Sequence, residues 1–87
     1  MPTLFVLFGF KFLFYSNDNE PIHIHVKKGQ GKRMIHAKFQ VDPMVELMEN
    51  NGFKSSQLKL VKAIVEENKA IIIEKWNIYF KTNHHDN

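Results

Sequence analysis

Residues 22–27 read Ile-His-Ile-His-Val-Lys, a strict alternation of apolar and polar side chains. A period of two is typical of a β-strand with one buried face. A second alternation, residues 34–41, follows the turn Lys28–Gly31 and ends at Asp42-Pro43, where proline stops a strand. The two segments predict an antiparallel hairpin whose core face holds Ile22, Ile24, Val26, Ile35, Ala37, Phe39 and Val41.

The residues before this hairpin predict two more strands. Residues 4–8 are apolar and β-favouring on both faces, as expected of a strand that is covered on both sides or that lies at a subunit interface. A homodimer formed through this first strand is therefore expected. Gly9 permits a bend, and Phe10, Phe12 and Phe14 then alternate with their neighbours in a second strand.

The residues after the hairpin change period. Residues 44–51 predict a short element, a helical turn closed by Asn51-Gly52. From Ser55, a plausible N-cap, apolar residues recur every 3.6 positions to about residue 80, and residues 81–87 read as a frayed tail. The buried stripe of this helix comprises Leu58, Val61, Val65, Ile72, Trp76 and Tyr79. The predicted fold is α+β: one domain, residues 1–87, with an antiparallel sheet of about four strands within 3–41 and one long C-terminal helix, about 55–80, packed on one face.

Composition excludes several classes of protein. A chain of 87 residues has room for one compact domain, and the absence of cysteine excludes disulfides, zinc–thiolate sites and cysteine nucleophiles. No basic residue precedes the apolar start and Lys11 interrupts it, so neither a signal peptide nor a membrane span is predicted. We expect a cytoplasmic protein with no membrane contact.

The positive charge is concentrated in the first half of the chain. Residues 1–41 carry six bases and two acids, whereas residues 42–87 carry six bases and seven acids. If the hairpin turns at Gly29-Gln30 or through residues 28–31, His23 lies opposite His36; if it turns at Gln30-Gly31, His25 takes that place. Either register places three imidazoles on one face together with Lys27 and Lys38.

Three interpretations of this face remain open. It is a solvated sheet face that tolerates histidine, or a metal site, or a surface that contacts anions or nucleic acid. The metal ligands would be His23, His25 and His36, with Asp18 or Glu20 as a further ligand, but a His-x-His pair is not diagnostic and no cofactor is predicted. For the third interpretation, imidazole is a general acid or base near neutral pH, and Tyr15 is available to stack on a base. The candidate phosphate contacts are Lys27, Lys28, Lys32, Arg33 and Lys38.

Several motifs together resemble a known family. They are Met1-Pro2-Thr3, Phe14-Tyr15-Ser16-Asn17-Asp18, Pro21-x-His23-x-His25-Val26 with Lys28-Gly29, Ala37-Lys38-Phe39, Val45-Glu46-Leu47, Asn51-Gly52-Phe53, and the segment from Glu67-Asn68 to Trp76-Asn77-x-Tyr79-Phe80. They resemble the small bacterial proteins grouped as domain of unknown function 4160. The resemblance singles out Asn17, Asp18, Pro21, His23 and His25. His36 matches no position of the pattern, and Gln40 stands where an aromatic residue usually follows Ala-Lys-Phe.

The resemblance also implies a cellular role. Members are small cytosolic proteins whose genes often neighbour those of another small family, an arrangement that suggests toxin–antitoxin pairing. We therefore predict a toxin–antitoxin-type component that acts on or with nucleic acid through the histidine and lysine face, with a small cognate protein partner. His23, His25 and Asp18 are the candidate acid–base residues. The alternatives are a protein–protein interaction module without catalysis and a histidine-ligated metal-binding protein.

Overall fold

The computed structural model describes residues 3–15 and 21–85, and of residues 81–85 it describes the backbone alone. Five antiparallel strands form one sheet in the order of the chain, so every strand pairs with its sequence neighbours. The strands are β1 (Thr3–Leu7), β2 (Phe10–Leu13), β3 (His23–Lys28), β4 (Ile35–Gln40) and β5 (Glu46–Asn51), followed by helices α1 (Ser55–Glu67) and α2 (Lys69–His85). The predicted α+β class is confirmed.

The core lies between one face of the sheet and the two helices. The alternation along β2 and β3 buries Phe10, Phe12, Ile24 and Val26, each at most 3% exposed. The helices contribute Val61, Ile64, Val65, Ile72, Trp76 and Phe80 to the same cluster. Burying one such side chain contributes about 1.5–3 kcal/mol, so this layer is the main source of stability.

The predicted long helix is two helices that meet at Asn68. The Asn68 side chain donates to the Ile64 carbonyl at 2.8 Å, and its own N–H bonds to the Ile64 and Val65 carbonyls at 3.1 and 3.2 Å. Asparagine competes in this way with regular helical bonding. The buried stripe nevertheless continues across the break from Val65 to Ile72. Ser55 is the first helical residue, and Lys54 occupies the N-cap position. Helix α2 runs to His85, so the backbone is helical through the first five residues of the predicted tail, while residues 86–87 lie outside the described residues.

The predicted helical turn at residues 44–51 is instead strand β5. All six of its residues are exposed, and their sequence, Glu-Leu-Met-Glu-Asn-Asn, does not alternate between apolar and polar side chains as a half-buried strand would. It pairs with β4, placing Asn51 opposite His36 and Glu49 opposite Lys38. Tertiary pairing, rather than local pattern, determines its conformation.

The β3–β4 register also differs from both predicted alternatives. His23 lies opposite Gln40, and Lys27 lies opposite His36. The longer connection explains the shift, because residues 31–33 form a 3₁₀ turn in which the Arg33 N–H bonds to the Gln30 carbonyl at 3.0 Å. The true register differs from the predicted ones by an even number of residues, so the same side chains still share a face.

The β1–β2 connection is a two-residue turn. Phe8 and Gly9 both have positive φ, 54° and 80°, which is the backbone of a type I′ hairpin turn. This turn lies beside the residues that follow β3. Among the described residues, no helix combines the length and the apolar character needed to cross a membrane.

Candidate functional site: a histidine–lysine face and a lysine cleft

The sheet face opposite the helices carries the predicted polar side chains. Cross-strand pairs place His25 opposite Lys38, Lys27 opposite His36, and Lys11 of β2 opposite Lys27. Directly opposed residues project from the same face of a sheet. We call this surface the histidine–lysine face, and its members are Lys11, His23, His25, Lys27, His36, Lys38 and Gln40.

One end of this face is aromatic. The ring of His25 lies 4.4 Å from that of Tyr15 and 5.1 Å from that of His23, both edge-on. His23 is 7% exposed, and its ring lies 5.4 Å from that of Trp76. His25 and Tyr15 are half-buried, so a ligand on this face meets them before it meets His23.

The His23 ring has a defined tautomer. Its Nδ1 lies 2.9 Å from the Pro21 carbonyl oxygen. A carbonyl oxygen only accepts, so Nδ1 carries the proton, and the lone pair of the neutral ring is on Nε2. This bond and the packing against Trp76 hold His23 in place, which makes it a positioned residue beneath His25.

The other end of the face is a cationic cleft. It has a volume of about 250 Å³ and lies between the β1–β2 turn and the end of β3. It is lined by Gly9, Lys11, Lys27, Lys28, Gly29, Gln30 and Met34. We call it the lysine cleft. Three of its seven lining residues are lysines and none is acidic, so it presents concentrated positive charge to an anion.

Lys28 lies at the rim of this cleft. Its Nζ donates to the Phe8 carbonyl at 3.5 Å and lies 4.9 Å from the centre of the Phe10 ring. A Cβ atom at Gly9 would stand 2.7 Å from this Nζ, so the ammonium occupies the space that the glycine leaves. Lys27 points along the face in the other direction, with its Nζ 4.9 Å over the Tyr15 ring.

Five of the seven residues that line the cleft belong to a segment without acidic residues. Residues 21–41 contain five bases and no Asp or Glu. The nearest acid to Lys38 comes from outside this segment, because its Nζ lies 3.5 Å from Glu49 across the β4–β5 pair. The charge of Lys38 is therefore partly offset, although an exposed pair of this kind is weak.

The remaining predicted contacts are dispersed. Lys32 and Arg33 are exposed in the 3₁₀ turn, next to the cleft in sequence but outside its lining. His36 lies opposite Lys27, on the β4 side of the cleft and outside its lining, and its Nε2 accepts a bond of 3.1 Å from Asn51 Nδ2. Asp18 lies outside the described residues.

The structure does not assemble the histidines as a ligand set. His36 lies opposite Lys27, whereas His23 and His25 contact each other near the start of β3. In the part of the chain that the structure describes, no three His, Asp or Glu side chains are close enough to hold a metal ion. The side chains that do lie together are the lysines that line the cleft and, at the aromatic end of the face, the rings of Tyr15, His23 and His25.

Sequence reasoning missed Lys11 as a cleft residue. Lys11 and Lys27 are far apart in the chain, and only the β2–β3 register brings them together. The available signal was the pair Gly9-x-Lys11 and Lys27-Lys28-Gly29, two glycine–lysine clusters on neighbouring strands.

A family model described as Domain of unknown function (DUF4160) matches residues 9–77. The chain belongs to this family. The DUF4160 match contains every residue that lines the lysine cleft, and it begins after β1. The resemblance seen in the sequence is confirmed. No curated protein and no solved structure matches the chain.

Proposed function

We propose that this protein binds single-stranded nucleic acid on the histidine–lysine face, with a phosphate group in the lysine cleft. The observation that carries the proposal is a cleft whose lining includes Lys11, Lys27 and Lys28 and no acidic residue. Ammonium groups that meet phosphates release counterions, which is the main source of non-specific affinity for nucleic acid. A charged cleft of this size suits a phosphate better than an apolar ligand.

The aromatic end of the same face supports a single strand rather than a duplex. His25 is two residues from Lys27 on β3, about 7 Å along the strand. A single strand that places a phosphate in the cleft therefore brings neighbouring bases over His25 and Tyr15. Stacking on aromatic rings is the usual complement to a cationic groove in proteins that bind single strands.

The proposal concerns binding rather than cleavage. His23 is buried and held by Pro21, so the imidazole that a bound strand meets is His25. Cleavage by general acid–base catalysis would require two groups to reach the same phosphodiester. Because His23 is buried, it does not reach a strand bound on this face, and the proposal is therefore limited to binding. The toxin–antitoxin-type role belongs to the same proposal: the nucleic-acid contact is its effector surface, and a small cognate protein its regulator.

Binding is tested with fluorescently labelled single-stranded RNA and DNA oligonucleotides. We expect the double substitution Lys11→Ala with Lys27→Ala to lower affinity about five- to tenfold per lost contact. The slope of log affinity against log salt should become shallower by about 1.4, because each phosphate contact to a single strand contributes about 0.7.

The matched control is Lys59→Ala with Lys62→Ala, which removes the same charge from exposed positions on α1. The control should bind almost as the unsubstituted protein does. Equal losses in the two double variants would show a general charge effect and contradict a cleft-specific site, and an absence of binding by the unsubstituted protein would refute the function.

A further inference from the structure

Strand β1 is an edge strand with an apolar, uncharged surface. It lies at one end of the sheet, and among the described residues no strand pairs with its outer side. Val6 is 58% exposed, Leu7 39% and Phe8 67%. Residues 3–8 contain no charged residue, although edge strands are ordinarily protected by charges or proline.

The opposite edge of the sheet provides an internal comparison. Strand β5 contains Glu46 and Glu49, whereas β1 contains no charged residue. A bulge interrupts the pairing of each edge strand with its neighbour, between Lys38 and Phe39 for β5 and between Thr3 and Phe5 for β1. Charged side chains disfavour pairing with another chain. The two edges therefore differ in charge: β5 is protected by its carboxylates, whereas the part of β1 that follows its bulge is not.

The turn geometry shows which backbone groups β1 offers. Leu7 and Phe10 flank the two-residue turn and form the hydrogen-bonded pair that closes it. Hydrogen-bonded and non-hydrogen-bonded pairs alternate, so at Val6, opposite Lys11, the N–H and C=O point away from β2. Val6 therefore offers one hydrogen-bond donor and one acceptor to a strand that pairs with the outer side of β1.

We propose that two copies of this chain pair antiparallel through β1, with Val6 facing Val6 across a two-fold axis perpendicular to the sheet. At that centre the outward N–H and C=O of each Val6 bond to those of the other. Phe5 and Leu7 of one copy then lie opposite Leu7 and Phe5 of the second. The same uncharged surface serves both sides, which is the requirement of an isologous interface.

A second copy fits this edge better than the other strand of the sheet does. Pairing of β1 with β5 of another molecule would join two different surfaces, leave one free edge at each end, and so grow without closing. It would also place the exposed Glu46 and Glu49 beside an apolar strand. Pairing of β1 with β1 closes after two copies and covers the apolar segment of each.

The dimer would contain two copies of the histidine–lysine face. The dimer proposal does not depend on what that face binds. A two-fold axis perpendicular to the sheet keeps both histidine–lysine faces on the same side of a ten-stranded sheet. Lys11 is on β2, so the two Lys11 positions are three strand spacings apart, about 14 Å. The interface is short, which places it among small, concentration-dependent associations.

The test is sedimentation equilibrium of the full chain between about 5 and 500 µM, a range suited to a small interface. The unsubstituted protein should shift from monomer to dimer. Val6→Lys and Val6→Glu should each stay monomeric, because they place like charges directly opposite each other. Mixing the two should restore a dimer that contains one copy of each, since the opposed charges then attract.

The matched control is Met48→Lys, which places the same charge on the β5 edge at an exposed position. It should dimerise as the unsubstituted protein does. Circular dichroism confirms that each variant is folded. A monomer throughout the range, a dimer that survives Val6→Lys, or a mixture that stays monomeric would each overturn the proposal. Oligonucleotide binding by the unsubstituted protein at concentrations where it sediments as a monomer separates the two proposals, because the cleft is complete within one copy. Val6→Glu is unsuitable for this purpose, since its carboxylate would lie opposite Lys11.

Discussion

Replacing Gly9 with alanine tests whether the β1–β2 turn positions an ammonium at the lysine cleft. Gly9 has φ +80°, and a Cβ there would stand 2.7 Å from Lys28 Nζ. The left-handed backbone costs an alanine about 1–2 kcal/mol. The collision itself costs little stability, since the end of a lysine side chain can move. However, it displaces Nζ from the Phe8 carbonyl and from the Phe10 ring.

The control for this change is Gly31→Ala. Gly31 has φ +56°, and among the described residues no atom other than those of its chain neighbours lies within 4 Å of the position that an alanine methyl group would take there. Both variants should therefore lose about 1–2 kcal/mol of unfolding free energy, which for a domain of this size lowers the Tm by about 4–8 °C per kcal/mol. Only Gly9→Ala should also weaken oligonucleotide binding, by several-fold, because only it displaces Lys28.

The assays are urea unfolding followed by circular dichroism and fluorescence anisotropy with a labelled single strand. A urea midpoint about 1–2 M lower is expected for each variant, given a slope near 1 kcal/mol per M for a small domain. If both variants bind the oligonucleotide equally well, then Lys28 contributes nothing at the position the structure gives it, and the claim that the β1–β2 turn positions a phosphate contact is refuted.

Four further substitutions test the packing and the division of roles. Phe12→Ala removes a fully buried ring that stacks on its neighbour in β1, and it should cost about 3–5 kcal/mol in chemical denaturation; a loss below 1 kcal/mol would contradict the described core. Gly52→Ala should cost about 2–4 kcal/mol, because φ is +109° and the new methyl group would collide with Ile35; an unchanged midpoint in urea would contradict the close packing of this turn on β4. His23→Ala should lower the Tm through loss of a buried ring, whereas His25→Ala should chiefly lower oligonucleotide affinity; the reverse pattern would exchange their assigned roles.

The core could be predicted from the sequence because its signal is local. Phe10 and Phe12 flank the exposed Lys11 at the period of a strand, and Val61 and Val65 recur at a helical spacing, so the buried face of each segment can be predicted from its own residues. Asn68 is different. One asparagine in a helical pattern is common, and only its bonds to Ile64 and Val65 show that it divides the helix.

The fifth strand and the hairpin register could not be predicted in this way. β5 buries none of its side chains, so it is held in the sheet by its pairing with β4. Backbone pairing of this kind does not require a particular pattern of side chains, and the sequence of β5 therefore does not indicate it. The β3–β4 register depends on the 3₁₀ turn at Gly31–Arg33. The turn signals at Gly29 and Gly31 predict a shorter connection between the two strands and therefore a different register. These are tertiary effects.

Only part of the candidate site could be predicted from the sequence. The shared face of His23, His25 and Lys27 follows from a period of two and survives the change in register. The lysine cleft does not, because it requires Lys11 to lie opposite Lys27 and a turn glycine to make room for Lys28. A site formed by side chains from two strands can be recognised only when the pairing register of those strands is known.

Binding of a single strand of nucleic acid in the lysine cleft, and along the adjacent aromatic end of the face, is the central claim. The most direct measurement is a titration of isotopically labelled protein with a single-stranded oligonucleotide, followed by NMR amide shifts. We expect the largest shifts at Gly9, Lys11, His25 and residues 27–30. Shifts confined to β5 and the helices, or no shifts at a saturating concentration, would contradict the claim.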